Sequence, residues 1–198
     1  MRMTSTAGKI VNAARELVEA EGASGVTMRK VAAAVGVTPM AIYRHYPNRE
    51  ALLAAVAEAV FVDLAGHWGK RTWPEDADLQ THVHGVVGDH LDFALGSPRL
   101  YAFLFTERRE HARSFPDDFR AGRSPTLNLL AQTLSEAVRR GALRECDVWE
   151  LALVLAATMH GLVQMYHGGR IDMAEPSFRV LCESAMWRVL DGVRATTP

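Results

Sequence analysis

Cysteines and long apolar segments are scarce in this sequence. Only two cysteines, Cys146 and Cys182, occur among the 198 residues, which favours a reduced, intracellular protein over a disulfide scaffold. We expect buried thiols there, with proximity of the two on the last helices as the alternative. Met1–Gly8 lacks the apolar segment of a signal peptide, and no apolar run reaches the roughly 20 residues that span a bilayer. These absences predict a soluble, cytoplasmic protein that makes no contact with a membrane.

Strand patterns, repeats and motifs of metal or catalytic sites are also missing. No segment alternates polar and apolar residues with the period of two that marks a half-buried strand. No glycine-rich phosphate loop or nucleophile motif occurs. No HExxH-type zinc pair occurs among His82, His84, His90, His111, His160 and His167. The sequence therefore predicts an all-α protein with no metal, no cofactor and no enzymatic activity.

The net charge is small but unevenly distributed. The formal charge of −1 is too low for a protein that coats nucleic acid indiscriminately. Residues 1–50 carry seven Lys or Arg against four Glu, a net charge of +3, whereas residues 51–198 carry −4. A basic head on an acidic body fits a DNA-reading domain attached to a body that does not touch DNA. We therefore predict two domains that meet at residue 50.

The twenty-residue segment TMRKVAAAVGVTPMAIYRHY, which begins at Thr27, has the pattern of two short helices joined by a tight turn. Thr27 and Thr38 are good N-cap residues, and Pro39 suits the first helical position. Gly36 falls where the chain must reverse, because glycine adopts a left-handed backbone at little cost. With Ile42 pointing inwards, this spacing predicts a helix-turn-helix whose second helix enters the DNA major groove.

The outer face of this motif carries side chains that suit DNA. Arginine and tyrosine bond phosphates or base edges, and small apolar groups contact thymine methyls. A further helix follows with Asn48 as its cap, and we expect its free N–H groups and Arg49 to bind phosphate. The predicted DNA-binding residues are Thr27, Arg29, Thr38, Pro39, Met40, Ala41, Tyr43, Arg44, His45, Asn48 and Arg49. The alternative is a structural helix pair with Tyr43 and Tyr46 as core aromatics.

Residues 9–56, KIVNAARELVEAEGASGVTMRKVAAAVGVTPMAIYRHYPNREALLAAV, resemble the N-terminal domain of TetR-type, or tetracycline-repressor-like, transcriptional regulators. The most specific stretch begins at Gly36. Met40 stands where such proteins often carry a small residue, and Tyr46 and Arg49 replace the more usual phenylalanine and lysine. The resemblance implies an N-terminal three-helix helix-turn-helix domain, followed by a C-terminal helical bundle that binds a ligand and dimerises.

The remainder of the chain has the pattern of successive helices. A nearly continuous apolar helix should run from Arg49 to about Leu64. A connection should follow over Gly66–Asp78, where Trp68 and Trp73 would pack on the body or line the mouth of a pocket. Residues 107–122 should be irregular or partly helical. The other helices are expected near residues 79–95, 98–105, 125–140, 147–167 and 174–193.

His160 and Gln164 lie one turn apart in an otherwise apolar helix. They are either buried groups that satisfy internal partners or the few polar groups of an apolar ligand cavity. The predicted ligand-binding residues are Tyr101, Phe105, Met159, His160 and Gln164. Residues 157–162 and 97–101 also resemble the C-terminal domain of one branch of these regulators, in which a Trp-His-Gly triplet is typical and Met159 here replaces the tryptophan.

The last two helices carry more apolar surface than one inward face needs. The predicted dimer interface consists of Val154, Thr158, Leu162, Val180, Trp187 and Leu190, as the resemblance implies. The alternative is a monomer with a thick core. The sequence thus predicts a homodimeric repressor that binds a pseudo-palindromic double-stranded DNA operator and is released by a small, largely apolar effector. A ligand-independent regulator whose body only dimerises, and a helical-bundle enzyme, are the alternatives.

Overall fold

The helical elements are given by a computed structural model, which describes residues 5–71, 78–109 and 112–195. The predicted positions of Trp73 and His111 lie outside the described residues. The helices are α1 (Thr6–Glu21), α2 (Met28–Val35), α3 (Pro39–Tyr43), α4 (Arg49–Trp68), α5 (Leu79–Gly96), α6 (Pro98–Phe105), α7 (Asp117–Arg120), α8 (Pro125–Arg139), α9 (Val148–His167) and α10 (Glu175–Asp191). In the described ranges the only β-type pairing is one isolated bridge between Leu143 and Arg194, so the all-α prediction is confirmed.

Side-chain caps and one left-handed turn define the short helices near the N-terminus. The hydroxyl of Thr27 accepts a hydrogen bond from the N–H of Lys30 at 3.2 Å. The hydroxyl of Thr38 accepts one from the N–H of Ala41 at 3.4 Å. Gly36 ends α2 with φ +71° and ψ +33°, a backbone conformation that glycine adopts without steric cost. These local signals place both ends of α2 and the start of α3 where the sequence predicted them, whereas α3 ends at Tyr43, before the end of the predicted segment at Tyr46.

The fourth helix is longer than predicted. It continues past Leu64 and through Gly66 to Trp68, because a single glycine within a helix costs only about 1 kcal/mol. Both α4 and α9 have 20 residues and are long and apolar enough to span a membrane by length and composition alone. No such run was expected from the sequence. A core helix of a soluble protein meets the same criterion, and each of the two helices buries a row of apolar side chains.

The first compact unit of the chain comprises Met1–Asp63 and Ser97–Ala112. Its interior is apolar, and α6 belongs to it because that helix packs against α1. The principal buried side chains of the first three helices are Ile10, Ala14, Val18, Val31 and Ile42. Those of α4 and α6 are Leu52, Val56, Val60, Leu100, Tyr101 and Phe103.

The second unit comprises Leu64–Gly96 and Arg113–Pro198. Here α8 packs on α9 and α5, and α10 packs on α5 and α9. Leu190 of α10 is only 1% exposed, so its inclusion in the predicted dimer interface is wrong. The pattern of α10 alone did not show which of its apolar faces is covered by α5 and α9. Phe178, also buried, stacks on Tyr166 with ring centroids 4.1 Å apart.

Candidate nucleic-acid interface and ligand site

The burial of Ile42 determines which face of α3 is presented to solvent. Ile42 is fully buried, and its carbonyl accepts hydrogen bonds from the N–H groups of His45 and Tyr46, both at 2.9 Å. On the opposite face, Met40 is 70% exposed and Tyr43 is 48% exposed. The alternative in which Tyr43 is a core aromatic is therefore excluded. Tyr46 is half-buried, and this burial raises the pKa of its hydroxyl above the usual value.

Most of the predicted DNA-binding side chains lie at the surface of the first unit. The exposed residues are Thr27, Arg29, Thr38, Pro39, Met40, Tyr43, Arg44, His45 and Asn48, and Ala41 is half-buried. Asn48 also caps α4, since its Oδ1 accepts a hydrogen bond from the N–H of Ala51 at 2.7 Å. Hydroxyl, guanidinium, phenol and thioether groups are thus exposed on and around α2 and α3. Such groups can bond phosphate oxygens and contact base edges.

Arg49 differs from the other members of the predicted set. Its Nε donates to the carbonyl of Val26 at 2.8 Å, and its Nη2 donates to the carbonyl of Ala23. The remaining Nη1 lies 3.6 Å from Oε1 of Glu50. Because the guanidinium is engaged within the chain, the structure does not support the predicted phosphate contact of Arg49.

In the second unit, a pair of histidines from two helices forms a polar cluster that the sequence revealed only in part. The ring centroids of His90 in α5 and His160 in α9 are 5.2 Å apart, and the ring of Trp68 lies 6.2 Å from that of His90. His160 was predicted as a ligand residue, and Trp68 was expected to pack on the body or line the mouth of a pocket, but His90 was not predicted as a member of the site. The helical periodicity of residues 79–95, which predicts that His90 faces inwards, was the signal in the sequence for its place in this cluster.

Both imidazoles are half-buried, which disfavours their charged forms. Burial, reinforced by the charge of His160, lowers the pKa of His90 from 6.5 to about 3. Burial alone lowers the pKa of His160 to about 4. Both rings are therefore neutral near pH 7, and each then has one nitrogen that donates and one that accepts a hydrogen bond.

The other predicted ligand residues fall in both units. Met159, only 4% exposed, and the exposed Gln164 lie with His160 on α9. Tyr101 and Phe105 belong to the first unit, where their rings contact each other at 5.0 Å. Within the described ranges, no group of three or more His, Cys, Asp or Glu side chains is placed to hold a metal ion.

The remaining residues of the predicted dimer interface lie on α9 and α10. Val154, which is 44% exposed, precedes the half-buried Thr158 and Leu162 at intervals of four along α9. Val180 of α10 is 68% exposed. Trp187 is half-buried, and the guanidinium of Arg194 lies 5.4 Å from the centre of its ring. Val154 and Val180 are therefore open to solvent in the single chain, and Thr158, Leu162 and Trp187 are partly so.

A capped helix-turn-helix on a small helical unit, joined to a second helical unit, defines a DNA-binding regulator of the helix-turn-helix class. Residues 10–56 match the model of the bacterial regulatory proteins of the TetR family. Residues 79–187 match the tetracyclin repressor-like C-terminal domain. The chain therefore belongs to the TetR family of transcriptional regulators.

Individual relatives agree with this assignment. The chain is 29% identical to the nucleoid occlusion factor SlmA of Vibrio cholerae over 159 residues, which is 79% of either protein. It is 40% identical to the class A tetracycline repressor of Escherichia coli over 107 residues, 52% of this chain and 42% of that protein. The transcriptional regulator FadR of Bacillus subtilis, solved with stearoyl-CoA, has the same fold with a TM-score of 0.71 and 19% identity, over 94% of this chain and 98% of that one.

The lowered pKa values of the two histidines predict a stability loss in weak acid. Above pH 6.5 a histidine is neutral in both folded and unfolded chains. As the pH falls from 6.5 towards 4, the unfolded chain binds protons at these positions while the folded chain does not. Between pH 7 and pH 5, each histidine should lower the free energy of unfolding by about 1–2 kcal/mol.

Urea unfolding of the His160→Gln variant should show a correspondingly smaller pH dependence of the free energy of unfolding. Gln164→Ala, one turn away and not titratable, is the control, and equal pH dependence in all three proteins would contradict the burial of His160.

Proposed function

We propose that this transcriptional regulator is a repressor that binds a pseudo-palindromic double-stranded DNA operator as a homodimer in the cytoplasm. Residues 1–50 would bind DNA, and residues 51–198 would bind the effector and dimerise. The observation that carries the proposal is the orientation of α3, in which buried Ile42 leaves Met40 and Tyr43 facing outwards. The DNA-contacting residues would be Thr27, Arg29, Thr38, Pro39, Met40, Ala41, Tyr43, Arg44, His45 and Asn48.

The modest charge of the DNA-binding region favours two copies on one DNA molecule. A net charge of +3 within residues 1–50 gives one copy few phosphate contacts, and non-specific affinity depends on their number. A symmetric dimer doubles these contacts and reads two half-sites about one helical turn apart. The finer resemblance of residues 157–162 and 97–101 to the branch with a Trp-His-Gly triplet is part of this proposal.

Substitutions at two positions of α3 should distinguish contacts with base edges, at Met40, from contacts with phosphate, at Tyr43. Met40 lies near the N-terminal end of the helix, the part that contacts base edges in this geometry. Met40→Ala should therefore change the preferred bases by about 1–3 kcal/mol at one or two positions of each half-site. Tyr43→Phe removes one hydrogen bond, and should weaken binding to every sequence by about 0.5–1.5 kcal/mol. Selection from randomised half-sites with each variant measures both effects. The orientation is refuted if Tyr43→Phe alters the preference and Met40→Ala does not.

The exposed apolar strip of α9 and α10 is the proposed dimer interface, now consisting of Val154, Thr158, Leu162, Val180 and Trp187. Residues four apart on a helix share a face, so the three α9 positions form one row. Leu190 is excluded because it is part of the core. The partner would cover valines that a monomer leaves in water.

A charge placed in this interface should give folded monomers. Val180→Glu would bury an unpaired carboxylate in the dimer but leave the isolated chain intact, since Val180 is exposed there. We expect sedimentation to show a monomer at micromolar concentration, with unchanged helical content and reduced operator affinity. The matched control is Val62→Glu, because Val62 is also an exposed valine, 53% exposed against 68% for Val180, and lies on α4, outside the proposed interface. A Val180→Glu protein that remains dimeric would remove α10 from the interface.

The effector site would lie around His160 and His90, with Met159, Gln164 and Trp68 nearby. Because both imidazoles are neutral near pH 7, they suit an apolar compound that carries a hydroxyl or carbonyl group. The FadR structure supports small-molecule binding by a protein of this fold, although its ligand does not transfer to this chain. The effector would act by binding more tightly to the conformers with low operator affinity, and would weaken DNA binding by that difference.

A panel of neutral apolar alcohols and ketones tests the effector site. A compound at 100 times its Kd stabilises the folded protein by about 2.7 kcal/mol, which should raise the Tm by about 5–10 °C at this chain length. The His160→Phe variant should lose this increase. His67→Phe, which changes an exposed histidine of α4, should retain it. A compound whose effect survives His160→Phe binds elsewhere, and a panel without any effect favours the ligand-independent regulator.

A further inference from the structure

The junction between α1 and α2, residues 19–27, accepts hydrogen bonds from side chains of two other helical regions of the first unit, the start of α4 and the start of α6. From α4, the Arg49 guanidinium donates to the carbonyl of Val26 at 2.8 Å and to that of Ala23. These two carbonyls lie at opposite ends of the 3-10 turn Ala23–Gly25. Arg49 therefore bridges the whole turn with a single rigid group.

Burial explains why the Val26 carbonyl needs a partner. Val26 is fully buried, and a buried carbonyl without a hydrogen bond is costly. The carbonyl of Ala23 accepts the N–H of Val26 at 3.1 Å as well as the guanidinium. The planar guanidinium carries five donors in a fixed fork, so it can reach two acceptors at once. A lysine ammonium is a compact charge on a flexible stem and cannot reproduce this bridge, although it would serve equally well for a phosphate.

The other side of the junction is held by α6. Nη1 of Arg99 donates to the carbonyls of Ala20 at 2.6 Å and Glu19 at 3.3 Å, in the last turn of α1, where helix carbonyls lack internal partners. The hydroxyl of Ser97 donates to the Glu19 carboxylate at 2.9 Å. Lys30 of α2 adds an ion pair with Glu21.

The junction determines where the DNA-reading helices begin. Val26 is followed directly by Thr27, the N-cap of α2. Only Gly36–Thr38 separates α2 from α3, so the direction of α3 follows from that of α2. A shift of Val26 relative to α4 would therefore move Met40 and Tyr43 relative to the DNA.

We propose that Arg49 is a positioning residue for operator recognition, which holds the α1–α2 junction against the start of α4 and does not contact phosphate. The inference rests on the proposed operator binding. It predicts that loss of the bridge weakens specific binding, which requires correctly placed helices, but spares non-specific binding, which depends on the number of phosphate contacts. Loss of a phosphate contact would weaken both and reduce the salt dependence.

The experiment compares Arg49→Lys and Arg49→Ala with Arg44→Ala and Arg44→Lys, since Arg44 is an exposed arginine of the same surface. Affinities are measured between 50 and 200 mM salt for two probes: a duplex selected by the unaltered protein from a randomised pool, and a random-sequence duplex. Both Arg49 variants should lose about tenfold in affinity for the selected duplex, the equivalent of one or two hydrogen bonds. Their affinity for random DNA and the salt slope should not change. Arg44→Ala should weaken both affinities and lower the salt slope by about 1, and Arg44→Lys should restore them.

Hydrogen exchange provides a second measurement that does not depend on DNA. Amides of the first turn of α2 should exchange faster in Arg49→Lys than in the unaltered protein, and at the unaltered rate in Arg44→Ala. Full specific affinity in Arg49→Lys would overturn the inference in favour of a phosphate contact. A parallel loss of both affinities in Arg49→Lys would overturn it in favour of general destabilisation. If the unaltered protein itself shows no preference for any selected duplex, the proposed operator binding fails, and the inference fails with it.

Discussion

The burial of Ile42 is the constraint on which DNA reading by this protein depends. A helix of five residues such as α3 has no stability of its own, because isolated helices shorter than about 12 residues are marginal in water. Its conformation is therefore maintained by packing against α2 and by the Thr38 cap. The same packing fixes the rotation of α3 about its axis, and this rotation decides that Met40 and Tyr43 face outwards while the isoleucine faces inwards. The exposed chemistry of the surface thus follows from one apolar contact beneath it.

Local signals explain why the first unit could be predicted closely. Thr27, Gly36, Thr38 and Pro39 act within one or two turns of their own position, so their effect can be read without knowledge of the rest of the fold. The all-α class and the family could be predicted from the sequence for the same reason. The end of α4 was missed because Gly66 is a weak signal, which the surrounding helix outweighs.

The features that could not be predicted depend on partners far away in the sequence. Arg49 bonds residues 23 and 26 positions earlier, and nothing in its own neighbourhood distinguishes this from a phosphate contact. Leu190 and Val180 both look like candidates for an interface, yet the packing of α10 on α5 and α9 buries the first and leaves the second in water. His90 acquires its neighbour His160 only when α5 and α9 are placed in the same bundle.

The turn at Gly36 also has a consequence for handedness. Apart from its two chain neighbours, a Cβ atom added at this position would meet no atom within 4 Å, so space does not explain the need for glycine. The need for glycine is explained by the positive φ of 71°, because an L-residue is disfavoured there by its own backbone. A D-residue, in contrast, has its preferred region at such angles. A D-alanine introduced by chemical synthesis would therefore fit this turn without strain and would restrict the unfolded chain. The recognition motif of this protein would thus accept the mirror-image residue more readily than any natural substitute.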